Sequence, residues 1–305
     1  MVSAVLLVLM ITGIMFGYVS PALALLAGMM IGLSGWFKWL TDGVPRFQKP
    51  LLQASVIGLG FGMSYEQAFV VGSSSFLISL ITILGTFLIA FTVRAFLGSE
   101  KKLTMLIASG TAICGGSAIA AVSPSIKANA AQTSMALVVV FVLNAVALFI
   151  FPFIGHQLGL SQSQFGLWCA LAIHDTSSVV GASEVYGAEA LMVATTTKLV
   201  RTLWIIPLLL VMASLFKSKE KLSFPWFILG FIGAIFISSH FAWVNTYSPD
   251  IVWLARKVLI FTLFLVGLQI SIKNVQELGF KSLTVGVLAW FSLAVMSLVY
   301  VIYFQ

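Results

Sequence analysis

Charged residues are scarce in this sequence. They make up 8% of its 305 residues, whereas hydrophobic residues make up 60%, and the mean hydropathy is +1.11. Soluble domains carry about 25% charged residues, because a chain of this length can bury only part of its apolar surface. The composition therefore excludes a soluble enzyme, a disordered chain and a secreted disulfide scaffold, and it predicts a polytopic membrane protein.

Sequence signatures of familiar chemistry are missing as well. The two cysteines, Cys114 and Cys169, have no metal-ligand spacing, and neither a G-x-x-x-x-G-K-[ST] loop nor an H-E-x-x-H pair occurs. An aspartyl intramembrane protease needs two acids at depth, and a serine protease of this kind needs G-x-S-x-G, which Gly115–Ile119 does not match. We therefore expect no cofactor, no metal and no enzymatic activity.

Long apolar runs fill most of the sequence. A helix needs about 20 apolar residues to cross the hydrocarbon core, and the alternating strands of a barrel are missing. We predict an all-α protein with about eleven transmembrane helices, of which 50–64, 103–126 and 165–183 fit either a full span or a re-entrant hairpin. The predicted segments are 2–19, 21–37, 50–64, 68–96, 103–126, 130–152, 165–183, 189–215, 225–243, 250–271 and 281–304.

The net charge of +7 is unevenly distributed over the predicted loops. Loops that follow an even-numbered segment hold eleven basic residues, whereas the other loops hold Lys127 and four acids. Because basic loops stay on the cytoplasmic side, this charge marks topology and does not indicate nucleic-acid binding. The pattern predicts a multi-pass protein of the cell membrane with its N-terminus in the cytoplasm and its C-terminus outside.

Charged residues inside the predicted segments each cost about 2.5–3.5 kcal/mol at mid-bilayer. Lys198 and Arg201 are three residues apart on one helix face, and the excess of bases over acids favours an anionic ligand. Their alternative role is structural, in contact with Asp175 or with helix-end carbonyls. Arg256 and Lys257 lie nearer a helix start and could instead reach the outer headgroups.

Segment 165–183 contains adjacent acid–base residues followed by hydroxyls, namely His174, Asp175, Thr176 and Ser177. A histidine can take up and release a proton near neutral pH, and the aspartate can bind a cation or orient the imidazole. The pattern predicts a site for a coupling H⁺ or Na⁺. The alternative is a polar contact between helices whose hydroxyls bond to their own backbone.

Segment 103–126 has two adjacent glycines, Gly115 and Gly116, at its centre, which predict a break in the helix. Ser117 is predicted to cap the second half-helix, whose free N–H groups would attract an anion. Small residues also favour close helix packing, which is the alternative. A second break is predicted in segment 250–271, near Gly267 and Gln269.

The segment count suggests an internal repeat. With 1–19 set aside as an extra N-terminal helix, ten segments divide into 20–152 and 165–305. Halves of five segments have opposite topology, as in many secondary transporters. We predict one integral membrane domain, 1–305, with an inverted 5+5 repeat and two broken crossing helices, in segments 103–126 and 250–271.

Three stretches carry a resemblance to a known family. They are Thr111–Ala121 with the sequence TAICGGSAIAA, Gln164–Thr176 with FGLW and IHDT, and Lys198–Arg201 followed by Pro207. Together they resemble the YeiH-type family, whose members are labelled sulfate exporters. The resemblance implies an inner-membrane transporter of the bile-acid-transporter-like superfamily, with two crossed broken helices.

The sequence thus predicts a secondary transporter that exports a small anion, sulfate or an organosulfonate, with H⁺ or Na⁺ as the coupling ion. An anion channel is the alternative, and an intramembrane enzyme is a weaker one. Predicted substrate-binding residues are Lys198, Arg201, Gly115, Gly116 and Ser117, predicted coupling residues are His174, Asp175, Thr176 and Ser177, and further candidates are Arg256, Lys257 and Gln269.

Overall fold

The computed structural model describes residues 10–34, 38–216, 226–268 and 279–305, which are helical apart from short connections and contain no strand. Helix α1 comprises residues 10–15. The helices that follow are α2 Pro21–Ser34, α3 Lys38–Gly60, α4 Tyr65–Leu97, α5 Lys101–Ala112, α6 Gly116–Ser125, α7 Ala130–Gln157, α8 Gln162–Ala172, α9 Thr176–Tyr186, α10 Ala188–Leu203, α11 Ile205–Phe216, α12 Phe227–His240, α13 Ala242–Asn245, α14 Ser248–Leu268 and α15 Phe280–Phe304.

Five stretches of the described residues are long and apolar enough to cross a membrane. They are α4, α7, α10 with α11, α14 and α15. Even α14, with 21 residues, extends about 30 Å at 1.5 Å per residue, which is the thickness of the hydrocarbon core. The predicted all-α, polytopic membrane fold is confirmed.

The described residues form two compact units. The first comprises the described parts of 1–70 and 225–273, and the second those of 71–224 and 274–305. Each unit draws on both predicted repeats, so this grouping by contact is independent of the 5+5 division, which stays a prediction. In the first unit α2 packs on α14 through Gly28 and Gly267, whose Cα atoms lie so close to the facing backbone that a side chain would overlap it.

The second unit is built around α5 and α8, each of which has one continuous buried stretch. Residues 103–112 of α5 and 165–172 of α8 are all buried. The core around α5 includes Ile107, Ile119, Val140 and Val285 from α5, α6, α7 and α15, together with Ile113 at the end of α5. The center of this unit therefore consists of two short helices that end inside it.

The first break lies where the sequence predicts it, between Ala112 and Gly116. Gly115 has φ 65° and ψ −125°, a conformation that favours glycine. The prediction that Ser117 caps the second half is wrong, because Gly115 is the N-cap and Ser117 is the second residue of α6, with an exposed side chain. Because Gly115 occupies the N-cap position, Ser117 lies inside the helix and cannot cap it.

The second break lies in a different segment from the predicted one. Helix α8 ends at Ala172 and α9 begins at Thr176, whereas α14 continues through Gly267 to Leu268. The predicted break at Gly267 is therefore wrong as far as the helix is described, and Gln269–Ser271 lie outside the described residues. Gly267 provides close packing on α2, which needs a small residue but no interruption of the helix.

Two further boundaries differ from the predicted segments. Helix α3 begins at Lys38, twelve residues before the predicted start at 50, so the basic residues of that loop lie on a helix. Segment 189–215 divides at Trp204 into α10 and α11. Pro207 explains the division, because it has no N–H to donate to the carbonyl group of Leu203, one helical turn earlier.

Candidate functional site

The two broken helices meet at their breaks, within the second unit. Nε2 of His174, in the break between α8 and α9, lies 3.2 Å from the hydroxyl oxygen of Thr111 near the end of α5. A methyl group built on Gly115 would lie 3.5 Å from Cα of Asp175. Four half-helix ends therefore converge here, the C-terminal ends of α5 and α8 and the N-terminal ends of α6 and α9.

Lys198 binds the C-terminal end of α8. Its Nζ donates hydrogen bonds to the carbonyl oxygens of Ala170 at 3.2 Å and Ile173 at 2.6 Å, and the side chain is fully buried. Nε1 of Trp290 donates to the carbonyl oxygen of Ala172 at 3.1 Å. The end of a helix carries about half a negative charge, so the ammonium group stabilises this end electrostatically as well as by hydrogen bonding.

Arg201 binds the C-terminal end of α5 in the same way. Its Nε donates to the carbonyl oxygen of Ala112 at 2.6 Å, and its Nη1 donates to Thr82 Oγ1 at 3.1 Å. The side chain is fully buried, and its Nη2 has no hydrogen-bond partner among the described residues. One nitrogen of this guanidinium group therefore remains available to a ligand.

These contacts decide between the structural roles considered for the two bases. Lys198 and Arg201 share a face of α10, as predicted, and each binds the carbonyl end of one broken helix. The hydrogen bonds of Lys198 go to Ala170 and Ile173 rather than to Asp175. Nη2 of Arg201 can contact a substrate directly, which is the role predicted for it. The hydrogen bonds of Lys198 go to helix-end carbonyl oxygens, so Lys198 would act on a substrate mainly through its positive charge.

Asp175 caps the N-terminal end of α9. Its Oδ2 accepts hydrogen bonds from the backbone N–H of Ser177 at 3.1 Å and from the Ser177 hydroxyl. Thr176 and Ser177 are buried in the first turn, whereas Asp175 is partly exposed. Nδ1 of His174 is buried and has no partner within the described part of the chain. The four predicted coupling residues therefore lie together at the second break.

Asn144 is a site residue that the sequence analysis missed. It is a buried residue of α7, and its Oδ1 accepts hydrogen bonds from the backbone N–H groups of His174 at 3.0 Å and Asp175 at 3.1 Å. These two groups have no helical partner because the helix is interrupted there. The available signal was a single asparagine in segment 130–152, well beyond the polar residues 132–134 at its start.

The N-terminal end of α6 is the half-helix end at the breaks whose N-cap residue, Gly115, has no side chain. No cap bond from Gly115 therefore reaches the first turn, where Ser117 is exposed and Gly116 is partly exposed. Its first N–H groups are therefore available to an outside acceptor. The predicted residues Gly115, Gly116 and Ser117 thus lie at the same break as Arg201.

The balance of charge at the breaks is positive. Two C-terminal ends, each with about half a negative charge, face two bases, and two N-terminal ends, each with about half a positive charge, share one acid. With Lys198, Arg201 and Asp175 ionised, the surplus is about one positive charge. The arrangement attracts an anion.

Comparison with known proteins places the chain in a family. A family model described as Conserved hypothetical protein 698 matches residues 2–286. A UPF0324 membrane protein of Bacteroides thetaiotaomicron is 44% identical over 291 residues, which cover 93% of this chain and 87% of that protein. The chain belongs to the UPF0324 membrane protein family.

Other UPF0324 membrane proteins are similar over most of their length. One from Vibrio vulnificus is 44% identical and covers 92% of each chain, and one from Porphyromonas gingivalis is 46% identical over 83% of this chain and 78% of its own. No solved structure matches the chain. The relatives are named as membrane proteins, in agreement with the helical fold.

The remaining candidates of this UPF0324 chain do not belong to the second unit. Arg256 and Lys257 lie on α14 in the first unit. Nζ of Lys257 lies 5.6 Å from the centre of the Trp253 ring and 3.8 Å from a methyl group built on Gly17, at the end of α1. Gln269 lies outside the described residues. Lys257 therefore contacts an aromatic ring and the end of a helix, and its reach to the outer headgroups stays a prediction.

We predict that Gly115→Ala destabilises this UPF0324 protein by about 1–3 kcal/mol, because L-residues are strained at its φ of 65°. The new methyl group would also lie 3.3 Å from Val140. Thermal unfolding in detergent measures the effect. Gly116→Ala is the matched control, because Gly116 has helical geometry and its methyl group would meet Phe141 at the same 3.3 Å. Equal melting temperatures for the two variants would contradict the assigned strain.

Proposed function

We propose that this UPF0324 protein is a secondary transporter of a small anion, which binds where the two broken helices meet. The observation that carries the proposal is the convergence of four half-helix ends with a surplus of about one positive charge. Transporters commonly build substrate sites from interrupted helices near the bilayer midplane. The sequence resemblance supports sulfate or an organosulfonate as the anion.

Donors for the anion are present at the first break. Arg201 offers Nη2, which has no partner in the described part of the chain, and α6 offers the N–H groups of Gly116 and the exposed Ser117 at its start. A guanidinium nitrogen and backbone N–H groups are the donors that oxyanions commonly use. Lys198 adds a positive charge at low dielectric, where charge acts strongly.

Asp175 provides a physical reason for ion coupling. The N-terminal ends of α6 and α9 would hold its carboxylate and a bound anion close together, and the two negative charges would repel each other. A proton or Na⁺ at Asp175 would remove this repulsion and favour binding of the anion. Asp175 is partly exposed, and Nδ1 of the neighbouring His174 is buried without a partner among the described residues.

Complete burial of Lys198, Arg201 and His174 supports a carrier rather than an open channel. The loop charges support an inner-membrane location with a cytoplasmic N-terminus. Exposed aromatic residues at predicted outer helix ends, Tyr18, Trp243 and Tyr247, fit the interfacial belt of the same topology. With this topology, export is movement of the anion from the side of the basic loops to the side of these aromatic residues.

Uptake of radiolabelled sulfate, sulfite and taurine into proteoliposomes tests the function. We expect saturable uptake of at least one anion, driven by a gradient of H⁺ or Na⁺. Uptake equal to that of protein-free liposomes for every anion, with each gradient in either direction, would contradict the proposal.

Substitutions at the second break test the coupling. Asp175→Asn removes the charge but keeps an oxygen that can cap α9, so uptake should lose its dependence on the coupling ion. His174→Gln should flatten the pH dependence if the proton is that ion. Glu189→Gln, at an exposed acid in the first turn of α10, is the matched control and should transport like the wild type. Unchanged ion dependence in both test variants would contradict this coupling site.

A further inference from the structure

Three hydrogen-bond donors near the end of α10 are buried without partners among the described residues. They are Nη2 of Arg201, Nε1 of Trp204 and the hydroxyl group of Ser79. The side chains of Ser79 and Arg201 are fully buried. Arginine and tryptophan nitrogens can only donate, and a serine hydroxyl can donate as well. An acceptor placed among them would satisfy all three.

Two side-chain contacts join α4 to the end of α10, where these donors lie. The ring of Phe76 lies 4.8 Å from the ring of Trp204, and Thr82 Oγ1 accepts from Arg201 Nη1 at 3.1 Å. Ser79 lies three residues from both Phe76 and Thr82, so it shares their face of α4. Ser79 is therefore on the side of α4 whose neighbouring residues contact Arg201 and Trp204.

Neighbouring hydrogen bonds fix the orientation of the guanidinium group. The Thr82 hydroxyl donates to the carbonyl oxygens of Ile78 and Ser79, so its oxygen is left to accept from Arg201. Nε of Arg201 is bonded to Ala112. With Nε and Nη1 held in this way, Nη2 is the nitrogen that remains for a ligand.

Buried donors without acceptors are rare in native proteins, because each one loses its hydrogen bonds to water. A fixed arginine repels a cation, whereas an anion supplies the missing acceptor atoms and compensates the charge. Tetrahedral or trigonal oxyanions present several oxygens in different directions, which suits donors that come from two helices.

We propose that Ser79, Arg201 and Trp204 hold a small oxyanion in a site enclosed between α4 and α10. The inference rests on the proposed function, because it names the donors that hold the transported anion when it is closed off from both sides of the membrane. Since Arg201 also binds the end of α5 at Ala112, a ligand in this site stabilises the first break.

Binding of radiolabelled sulfate to the purified protein in detergent tests the site, with unlabelled sulfite, methanesulfonate and chloride as competitors. Ser79→Ala and Trp204→Phe each remove one donor with little change of shape. Each should weaken sulfate binding about tenfold or more, since a hydrogen bond to a charged group is lost. The ligand-free melting temperature should stay the same or rise, because an unpaired buried donor has been removed.

Ser297→Ala and Trp168→Phe are the matched controls. Their polar atoms already have partners, since Ser297 donates to the carbonyl oxygen of Leu293 at 2.6 Å and Trp168 to that of Ala294 at 2.9 Å. These variants should keep the wild-type sulfate affinity and lose thermal stability. Removal of a donor that binds the ligand should lower sulfate affinity but not stability. Removal of a structural donor should lower stability but not sulfate affinity.

Three results would overturn the inferred site. They are wild-type sulfate affinity in both Ser79→Ala and Trp204→Phe, no binding of any of these oxyanions by the wild-type protein, and displacement of sulfate by chloride as readily as by sulfite. Weakened binding in the two variants without uptake into proteoliposomes would leave the anion site standing and remove the transport function. Saturable uptake into proteoliposomes, together with wild-type sulfate affinity in both variants, would support the transport function and overturn the inferred site.

Discussion

Lys198→Met is expected to lower the free energy of unfolding by about 3 kcal/mol or more and to abolish transport. The methionine fills the same space but donates nothing, so the carbonyl oxygens of Ala170 and Ile173 lose bonds of 3.2 and 2.6 Å from a charged group. Hydrogen bonds to charged groups contribute about 1.5–3 kcal/mol each. Unfolding in mixed detergent, followed by circular dichroism, measures the loss.

A double variant separates helix capping from ion pairing. If Lys198 mainly neutralised Asp175, Asp175→Asn would restore stability to Lys198→Met by removing the unpaired acid. Because the ammonium group binds carbonyl oxygens, we expect no such rescue. Lys257→Met, at a lysine that lies over Trp253, is the control and should change the free energy of unfolding by less than about 1 kcal/mol. Full rescue by Asp175→Asn would contradict the capping role.

Asn144→Leu is expected to be nearly as damaging. It leaves the backbone N–H groups of His174 and Asp175 buried without their acceptor, at about 1–3 kcal/mol for each group. The second break should also lose its fixed geometry, so sulfate uptake should fall to background. Both the melting temperature and the uptake rate measure this.

Asn144→Asp is the conservative variant at the same position. It keeps an oxygen acceptor for the two N–H groups, which are 3.0 and 3.1 Å from the native Oδ1. We therefore expect stability and uptake between those of Asn144→Leu and the wild type. A wild-type melting temperature in Asn144→Leu would show that the break does not depend on this acceptor.

Helix positions follow from the sequence where an apolar run has the length of the membrane. Segment 281–304 corresponds to α15, Phe280–Phe304, because its apolar run is long enough to cross the hydrocarbon core without interruption. The first break follows as well, since two adjacent glycines weaken a helix wherever it packs. The predicted serine cap failed because a glycine with positive φ was better placed to end the turn.

The second break could not be located from local sequence, because its cause lies on another helix. Asp175 caps α9 from within the break, but the N–H groups exposed by the interruption are bound by Asn144, about 30 residues earlier on α7. Gly267 looked equally able to break a helix, but its small size serves contact with α2. A glycine alone does not reveal which of these two uses it has.

The sequence predicted several of the residues that lie at the site, but not which groups they form hydrogen bonds with. The i, i+3 spacing placed Lys198 and Arg201 on one face, as found, but their acceptors lie on α8 and α5, which only the tertiary fold brings near. Ser79 and Trp204 gave no signal, because a serine in an apolar helix usually bonds to its own backbone. Their significance comes from hydrogen bonds that they do not make.

Accessibility of position 117 tests the central claim most directly, namely that an anion is carried where the broken helices meet. Ser117→Cys is made in a parent with Cys114→Ala and Cys169→Ala, so that the exposed first turn of α6 holds the single thiol. A membrane-impermeant thiol reagent is applied to sealed right-side-out and inside-out vesicles. The account predicts labelling from both sides, slowed in each case by saturating transported anion. Labelling from one side only, at a rate that no anion changes, would contradict it.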